Sequence, residues 1–239
     1  MPGAIHWERF AAFLFDLDGV LTPTAEVHER AWSIMFNDFL GDRPPFTQDD
    51  YLAYVDGKPR YDGVRSFLAS RGITLPDGEP SDPPGDQSVC ALGNRKNQLF
   101  TEVLERDGIE PYPGSVALLD ELDARGVKKA VVSSSRNAPD VLRAAGLAPR
   151  FEVVVDGAVA SDEHLPGKPQ PDTYLFAARR LGVEAADGVV VEDALSGVTA
   201  GRAGSFGLVL GVDRGAGAEA LLAAGATAVV ADLAELVGA

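Results

Sequence analysis

The sequence predicts an α/β protein: a parallel β-sheet with helices on both faces, interrupted near its start by an inserted α-helical unit. From Tyr112-Pro113-Gly114 onward, helix-length segments alternate with short apolar runs, the pattern of a parallel sheet covered on both sides. One further apolar run, Ala11 to Phe15, stands apart from these, and the long stretch between shows only helical periodicity. Two of the apolar runs end in acidic residues, Asp16 and Asp18 after the first and Glu192 and Asp193 after a later one.

The first run passes into Phe15-Asp16-Leu17-Asp18-Gly19-Val20-Leu21-Thr22. Two carboxylates one residue apart at the end of a buried strand repel each other unless a cation neutralises them or one takes up a proton. A cation held by carboxylate and backbone oxygens suits magnesium, and a protonatable neighbour suits acid–base work on a phosphate ester. Taken alone, the pair could equally cap the next helix.

The inserted unit is expected over residues 24–110. Ala31, Trp32, Ile34, Met35, Phe36 and Phe39 recur at helical spacing, as do Val64, Phe67 and Leu68. Thr74 to Gly85, dense in Pro, Gly, Ser and Asp, reads as an exposed loop. The remaining sheet strands are expected at Ala130 to Val132, Val153 to Val155, Val189 to Val191, Leu208 to Leu210 and Ala228 to Val230, and Gly146 and Gly182 read as helix stops. The core therefore comprises residues 1–23 and 111–239.

Composition narrows the function. The chain has 239 residues, 46% hydrophobic and 24% charged, enough for a sizeable core plus an inserted lobe. Its net charge of −15, with no basic stripe, argues against nucleic acid or an anionic membrane as partner. An anionic substrate must then be gathered by a local cationic cluster. The single cysteine, Cys90, leaves nothing for a disulfide framework or a cysteine-rich zinc site. No apolar stretch reaches membrane-spanning length and the first ten residues lack a leader pattern, so cytoplasmic residence is expected; the chain is also expected to be a monomer.

Between the acidic motifs lie Val131-Val132-Ser133-Ser134-Ser135-Arg136-Asn137 and Gly167-Lys168-Pro169. Each alone is an ordinary strand-end turn or loop. Their order, acidic nucleophile, hydroxyl, lysine and acidic pair, resembles the four motifs of the haloacid dehalogenase superfamily of phosphoryl-transfer enzymes. Within it, Thr24-Ala25-Glu26-Val27-His28-Glu29-Arg30-Ala31-Trp32, Val55-Asp56-Gly57-Lys58-Pro59-Arg60, Arg95-Lys96-Asn97 and the Ser133 to Asn137 loop resemble the β-phosphoglucomutase-like family, so the likeness spans nearly the whole chain.

The resemblance implies a Rossmann-like core with a helical cap, magnesium as cofactor and a sugar phosphate as the small-molecule partner. It implies Asp16 as the nucleophile that becomes an aspartyl-phosphate, and Asp18 as general acid and base and, through its carbonyl, a metal ligand. Ser133 and Lys168 would hold the transferring phosphoryl group, and Glu192 and Asp193 would complete the metal site. His28, Gly57, Arg60, Lys96, Ser134, Ser135, Arg136 and Asn137 would bind substrate, with Arg60, Ser135, Arg136 and Asn137 on a distal phosphate and His28 helping to couple cap closure to the alignment of the acid. The implied reaction converts β-D-glucose 1-phosphate to glucose 6-phosphate through β-glucose 1,6-bisphosphate. A magnesium-dependent sugar-phosphate phosphatase uses the same core residues, and a non-catalytic sugar-phosphate-binding module is a third reading. Departures from the family pattern fall at Pro23, where an acidic residue is common, at Asp56 and Arg136, where lysine is usual, and in an insertion around Thr74 to Gly93.

Overall fold

The computed structural model describes residues 7–55 and 58–238. The chain forms two compact units: one runs to Thr24 and resumes at Ile109, and the other spans Ala25–Gly108. Among the described residues no helix is long and apolar enough to cross a membrane.

The first unit is built on six parallel strands, β1 (Ala12–Phe15), β2 (Lys128–Val132), β3 (Val153–Val155), β4 (Gly188–Glu192), β5 (Leu208–Val212) and β6 (Ala228–Val230), in the order β3-β2-β1-β4-β5-β6. β1, β4 and β5 are buried throughout, which is why they read as continuous apolar runs and not as alternating ones. The three-residue edge strands β3 and β6 are only partly buried. Helices between the strands bury one face each. In Asp172–Leu181, Tyr174, Ala177, Ala178 and Leu181 form the buried stripe, at the spacing of a single helix face. That helix stops at Gly182, whose φ of 67° is left-handed and open to glycine at no steric cost.

Strand order places the chemistry. β1 lies between β2 and β4; the chain runs from it to β2 and β3 on one side and then crosses back to β4 on the other, so a crevice opens at the carboxyl end of β1. Phe15 is level with Val131 on one side and Val191 on the other. The next residues, Asp16, Val132-Ser133 and Glu192-Asp193, therefore emerge together. Asp16 is still tied to the sheet, its N–H donating to the Val191 carbonyl at 2.9 Å.

The second unit takes the helix Thr24–Leu40 from Ala25 on, with the helices Gln48–Asp50, Arg60–Ser70 and Val89–Asp107 and a π-helical turn over Tyr51–Val55. Trp32, Phe36, Phe46 and Phe67 pack as one aromatic cluster, Phe36 standing 4.2 Å from Phe67 and 5.0 Å from Phe46 between ring centroids. Truncating such a buried ring, as in Phe36→Ala, costs about 3–5 kcal/mol. Residues 73–88 are irregular, and the final part of the expected insertion is helical: the Ser88 hydroxyl accepts from the Ala91 N–H at 3.0 Å and starts the helix at Val89. The short helix at Gln48–Asp50 was not legible from periodicity, because it has no buried residue of its own and is fixed by the Thr47–Asp50 capping box.

Candidate active site

Three carboxylates meet at the end of β1. Asp16, Glu192 and Asp193 each offer an oxygen within 4.8 Å of the others. Lys168 enters this group, its Nζ donating to Asp16 Oδ1 at 2.5 Å, to Glu192 Oε1 at 2.5 Å and to the Val132 carbonyl at 3.0 Å. The Tyr174 hydroxyl donates to the same Glu192 oxygen at 2.8 Å. Glu192 is 1% exposed and Asp16 is 8% exposed, so the ion pairs are dry. Breaking such a cluster by removing one partner is far costlier than losing a surface pair.

Burial pushes the Asp16 carboxyl well above its usual range; Lys168 opposes this, while Glu192, Asp18 and Asp193 add repulsion. Burial also carries Asp193 up to about 8, with Glu192 as the next contributor. For Lys168, burial works against the ammonium, but the facing Asp16 and Glu192 carboxylates outweigh it and raise its pKa. Negative charge is thus crowded at this point, and burial and mutual repulsion both weigh against ionising all of these carboxyls at once.

The donor set fits a small, hard divalent cation. All its donors are oxygens, as magnesium requires, and the adjoining backbone is shaped to leave them room. Gly19 has φ of 81°, and a Cβ placed on it would stand 1.9 Å from Asp193 Oδ2. Only glycine accommodates both the conformation and the approach.

Asp18 lies on the same loop with its carboxyl buttressed twice. The Thr24 hydroxyl donates to Oδ1, and the Ser133 hydroxyl reaches Oδ2 at 3.5 Å. Thr24 in turn shares a hydrogen bond with Thr22 at 3.1 Å. Thr24 was missed in the sequence reading; its position at the first residue of a helix, six residues after Asp18, is the signal that could have found it. Tyr174 was missed too, and its place in an apolar helix stripe gave no sign of a polar role.

The turn after β2 is organised by its own hydroxyls. Ser133 Oγ accepts from the Ser135 N–H and Ser135 Oγ from the Asn137 N–H, both at 3.1 Å. Ser134 and Arg136 stand exposed on this turn, while Ser135 and Asn137 are half-buried. Gly157 lies against it, where a Cβ would meet the Ser134 carbonyl at 2.6 Å.

The second unit carries a separate polar group. Arg60 Nη2 donates to Asn97 Oδ1 at 2.7 Å, and Lys96 Nζ lies 2.5 Å from His28 Nδ1. Lys96 is 4% exposed and its ammonium sits over two rings, 5.1 Å from the Trp32 centroid and 5.0 Å from that of Phe100. His28 stacks on Phe100 at 4.2 Å. Burial, then Lys96, then Arg60 drive its pKa well below the ordinary imidazole value, so it stands neutral with Nδ1 as acceptor. Gly57, expected to touch substrate, and Asp56 lie outside the described residues.

The structure therefore gathers Asp16, Asp18, Ser133, Lys168, Glu192 and Asp193 in the first unit, and His28, Arg60 and Lys96 in the second. Glu192 departs in emphasis from a simple metal ligand. One of its oxygens is committed to Lys168 and Tyr174 and the other accepts the Ala194 N–H at 3.2 Å, an arrangement that anchors the lysine.

Comparison with known proteins adds to this geometry. The haloacid dehalogenase-like hydrolase family model matches residues 10–204. The β-phosphoglucomutase of Mycobacterium bovis is 49% identical over 241 aligned positions, covering 96% of this chain and 92% of that protein. Hexitol phosphatase A of Escherichia coli is 34% identical, covering 82% and 80%. Among solved structures, a putative β-phosphoglucomutase from Thermotoga maritima superimposes with a TM-score of 0.70 at 28% identity, covering 95% and 96% of the two chains.

Proposed function

Because the chain belongs to the haloacid dehalogenase-like hydrolase family, we propose that it is a phosphosugar mutase. In this reading it interconverts β-D-glucose 1-phosphate and glucose 6-phosphate through an aspartyl-phosphate on Asp16 and β-glucose 1,6-bisphosphate. The observation that carries it is the pairing of two carboxyls on one loop with opposite surroundings. Asp16 faces an ammonium at 2.5 Å, and Asp18 is held by the hydroxyls of Thr24 and Ser133. Near-complete alignment with β-phosphoglucomutases supports the choice of substrate.

The first transfer breaks the phosphorus–oxygen bond of the bisphosphate. An Asp16 oxygen attacks phosphorus, the sugar oxygen leaves, and Asp18 supplies the proton that oxygen needs. In the second, a molecule of β-glucose 1-phosphate takes the place of the released glucose 6-phosphate, and Asp18 takes the proton from its 6-hydroxyl. That oxygen attacks the aspartyl-phosphate and the Asp16 carboxylate is released. Lys168 and Ser133 would oppose charge on the equatorial oxygens. Bound magnesium, held by Asp16, Asp193 and the Asp18 carbonyl, would neutralise the repulsion between the nucleophile and the phosphate.

A mutase must also grip the phosphate that is not reacting. In the first unit the Ser135-Arg136-Asn137 turn carries a hydroxyl, a charged fork and an amide suited to that purpose, and in the second unit Arg60 carries another charged fork. Arg136, in place of the lysine usual in the family, keeps the charge and changes its shape. Asp56, in place of another, removes a positive group and bears on which sugar is accepted.

A phosphatase reading is favoured by one observation, the 34% identity to hexitol phosphatase A. Phosphorus NMR of the purified protein with β-glucose 1-phosphate, magnesium and a trace of bisphosphate separates the two. Glucose 6-phosphate is expected; free phosphate as the sole product would replace the mutase by the phosphatase.

A further inference from the structure

Arg214 lies on the turn after β5, remote in sequence from every motif described above, and its side chain runs back to the nucleophile loop. Its Nε donates to the Gly19 carbonyl at 3.0 Å. Nη1 donates to the Ala231 carbonyl at 3.3 Å, and Nη2 lies 3.5 Å from Asp232 Oδ2. The guanidinium carbon stands 3.9 Å from the centroid of the Tyr112 ring. Tyr112 is itself tied to the loop, its N–H donating to the Leu21 carbonyl at 3.0 Å. The turn that aims Arg214 is fixed by Asp213, whose carboxylate accepts the N–H groups of Gly215 and Gly217, both at 3.0 Å.

The target of this arginine is the one residue of the nucleophile loop least able to hold itself. Gly19 has no side chain and can populate most of backbone space. It must keep φ of 81° while Asp193 occupies the space of its missing Cβ. Its N–H is fixed by the Thr22 carbonyl at 2.8 Å. Its carbonyl is fixed by Arg214, with the strength of a charge-assisted bond and the direction of a planar fork braced on an aromatic ring. Turning the Gly19 peptide would move the Asp18 carbonyl and carboxyl that precede it, and would disturb its fit against Asp193.

We propose that Arg214 is a positioning residue that acts through Gly19 to hold Asp18 and its carbonyl in register with Asp16 and Asp193. This rests on the reading of Asp16 and Asp18 as the nucleophile and the acid–base pair. The guanidinium touches no reacting atom in this scheme, so its loss should impair the chemical step and the metal site without loosening the grip on substrate.

The test compares full-length wild type with Arg214→Ala and Arg214→Lys in three measurements: calorimetric titration with magnesium alone, steady-state kinetics, and thermal unfolding without metal. Arg214→Ala should lower kcat and weaken magnesium binding by about 10-fold or more, with KM for the sugar phosphate held within about twofold. Arg214→Lys, which can still donate to the Gly19 carbonyl, should recover part of both losses. Folded Arg214→Ala protein with wild-type kcat and magnesium affinity would overturn the proposal. So would a loss that disappears once activity is corrected for the folded fraction. Should the alanine variant not fold, the lysine variant is judged by the same criteria. Failure of the functional reading shows separately, as absence of turnover in wild type. The magnesium titration then still decides, since equal affinities in wild type and variant overturn the role of Arg214.

Discussion

The two units hold their polar groups by different means. In the first, backbone register does the placing: Asp16, Ser133 and Asp193 follow adjacent parallel strands, and a buried lysine joins two of the strand ends. In the second, side chains on helices hold one another, Arg60 on Asn97 and Lys96 against His28, above an aromatic floor. Groups fixed by a sheet edge cannot shift singly, which suits chemistry that tolerates little misplacement. Groups fixed by side-chain pairs can be exchanged without disturbing a sheet, which suits a region that selects among substrates. Substitutions in the first unit should therefore remove transfer to every acceptor, and those in the second should change which acceptor wins.

The sharpest way to break this contrast is Asp16→Asn, which removes the proposed nucleophile and should lower transfer to sugar and to water alike by at least about 10⁴-fold. Measurable hydroxylamine-sensitive phosphate on the Asp16→Asn variant would refute the assignment. Lys168→Ala follows. It removes the ammonium from Asp16 and leaves Glu192 buried without its cation, so turnover should fall by about 10²–10³-fold with a drop in thermal stability. Asp18→Ala should still permit slow phosphorylation of Asp16 and should slow transfer to sugar by about 10²-fold or more. Rapid-quench trapping of the phosphoenzyme resolves the two steps, and sugar transfer at the wild-type rate would end the acid–base role.

Arg60→Ala carries the comparison into the helical unit. The loss of one charge-assisted contact, worth about 1.5–3 kcal/mol, should raise KM and move flux from sugar toward water while Asp16 phosphorylation from a small donor is unchanged. An unaltered ratio of mutase to phosphatase product would show that the unit does not choose the acceptor.

What the sequence disclosed follows the same division. The fold class and the strands were legible because central parallel strands are uninterrupted apolar runs, and Asp16, Asp18, Glu192 and Asp193 were legible because acid at the end of such a run is costly unless it is used. Thr24 and Tyr174 were not legible: a helix-capping hydroxyl and a stripe aromatic look the same whether or not a carboxylate stands beside them. Arg214 was hidden for a different reason. Its partner is a backbone carbonyl 195 residues away in sequence, and no side-chain pattern marks a carbonyl as a partner. In the helical unit, periodicity located the helices but gave no account of Gln48–Asp50, which a capping box and not a buried face maintains.

The smallest expected effect concerns pH and belongs to the helical unit. His28 is buried against Phe100 and beside the Lys96 ammonium, and its pKa is lowered in the folded protein. As pH falls below about 6.5, the usual imidazole value, the unfolded chain takes up a proton that the folded unit refuses. The unfolded state then binds more protons, and stability declines with falling pH until the folded pKa is reached. Well above neutrality the imidazole is uncharged in both states and contributes no slope. His28→Asn, which keeps a hydrogen-bonding group and cannot titrate, should flatten the stability profile between about pH 7 and pH 5 while leaving the acidic cluster of the first unit intact. Urea unfolding midpoints at stepped pH measure this, and parallel profiles for wild type and variant would mean that His28 titrates as freely in the folded protein as in the unfolded chain.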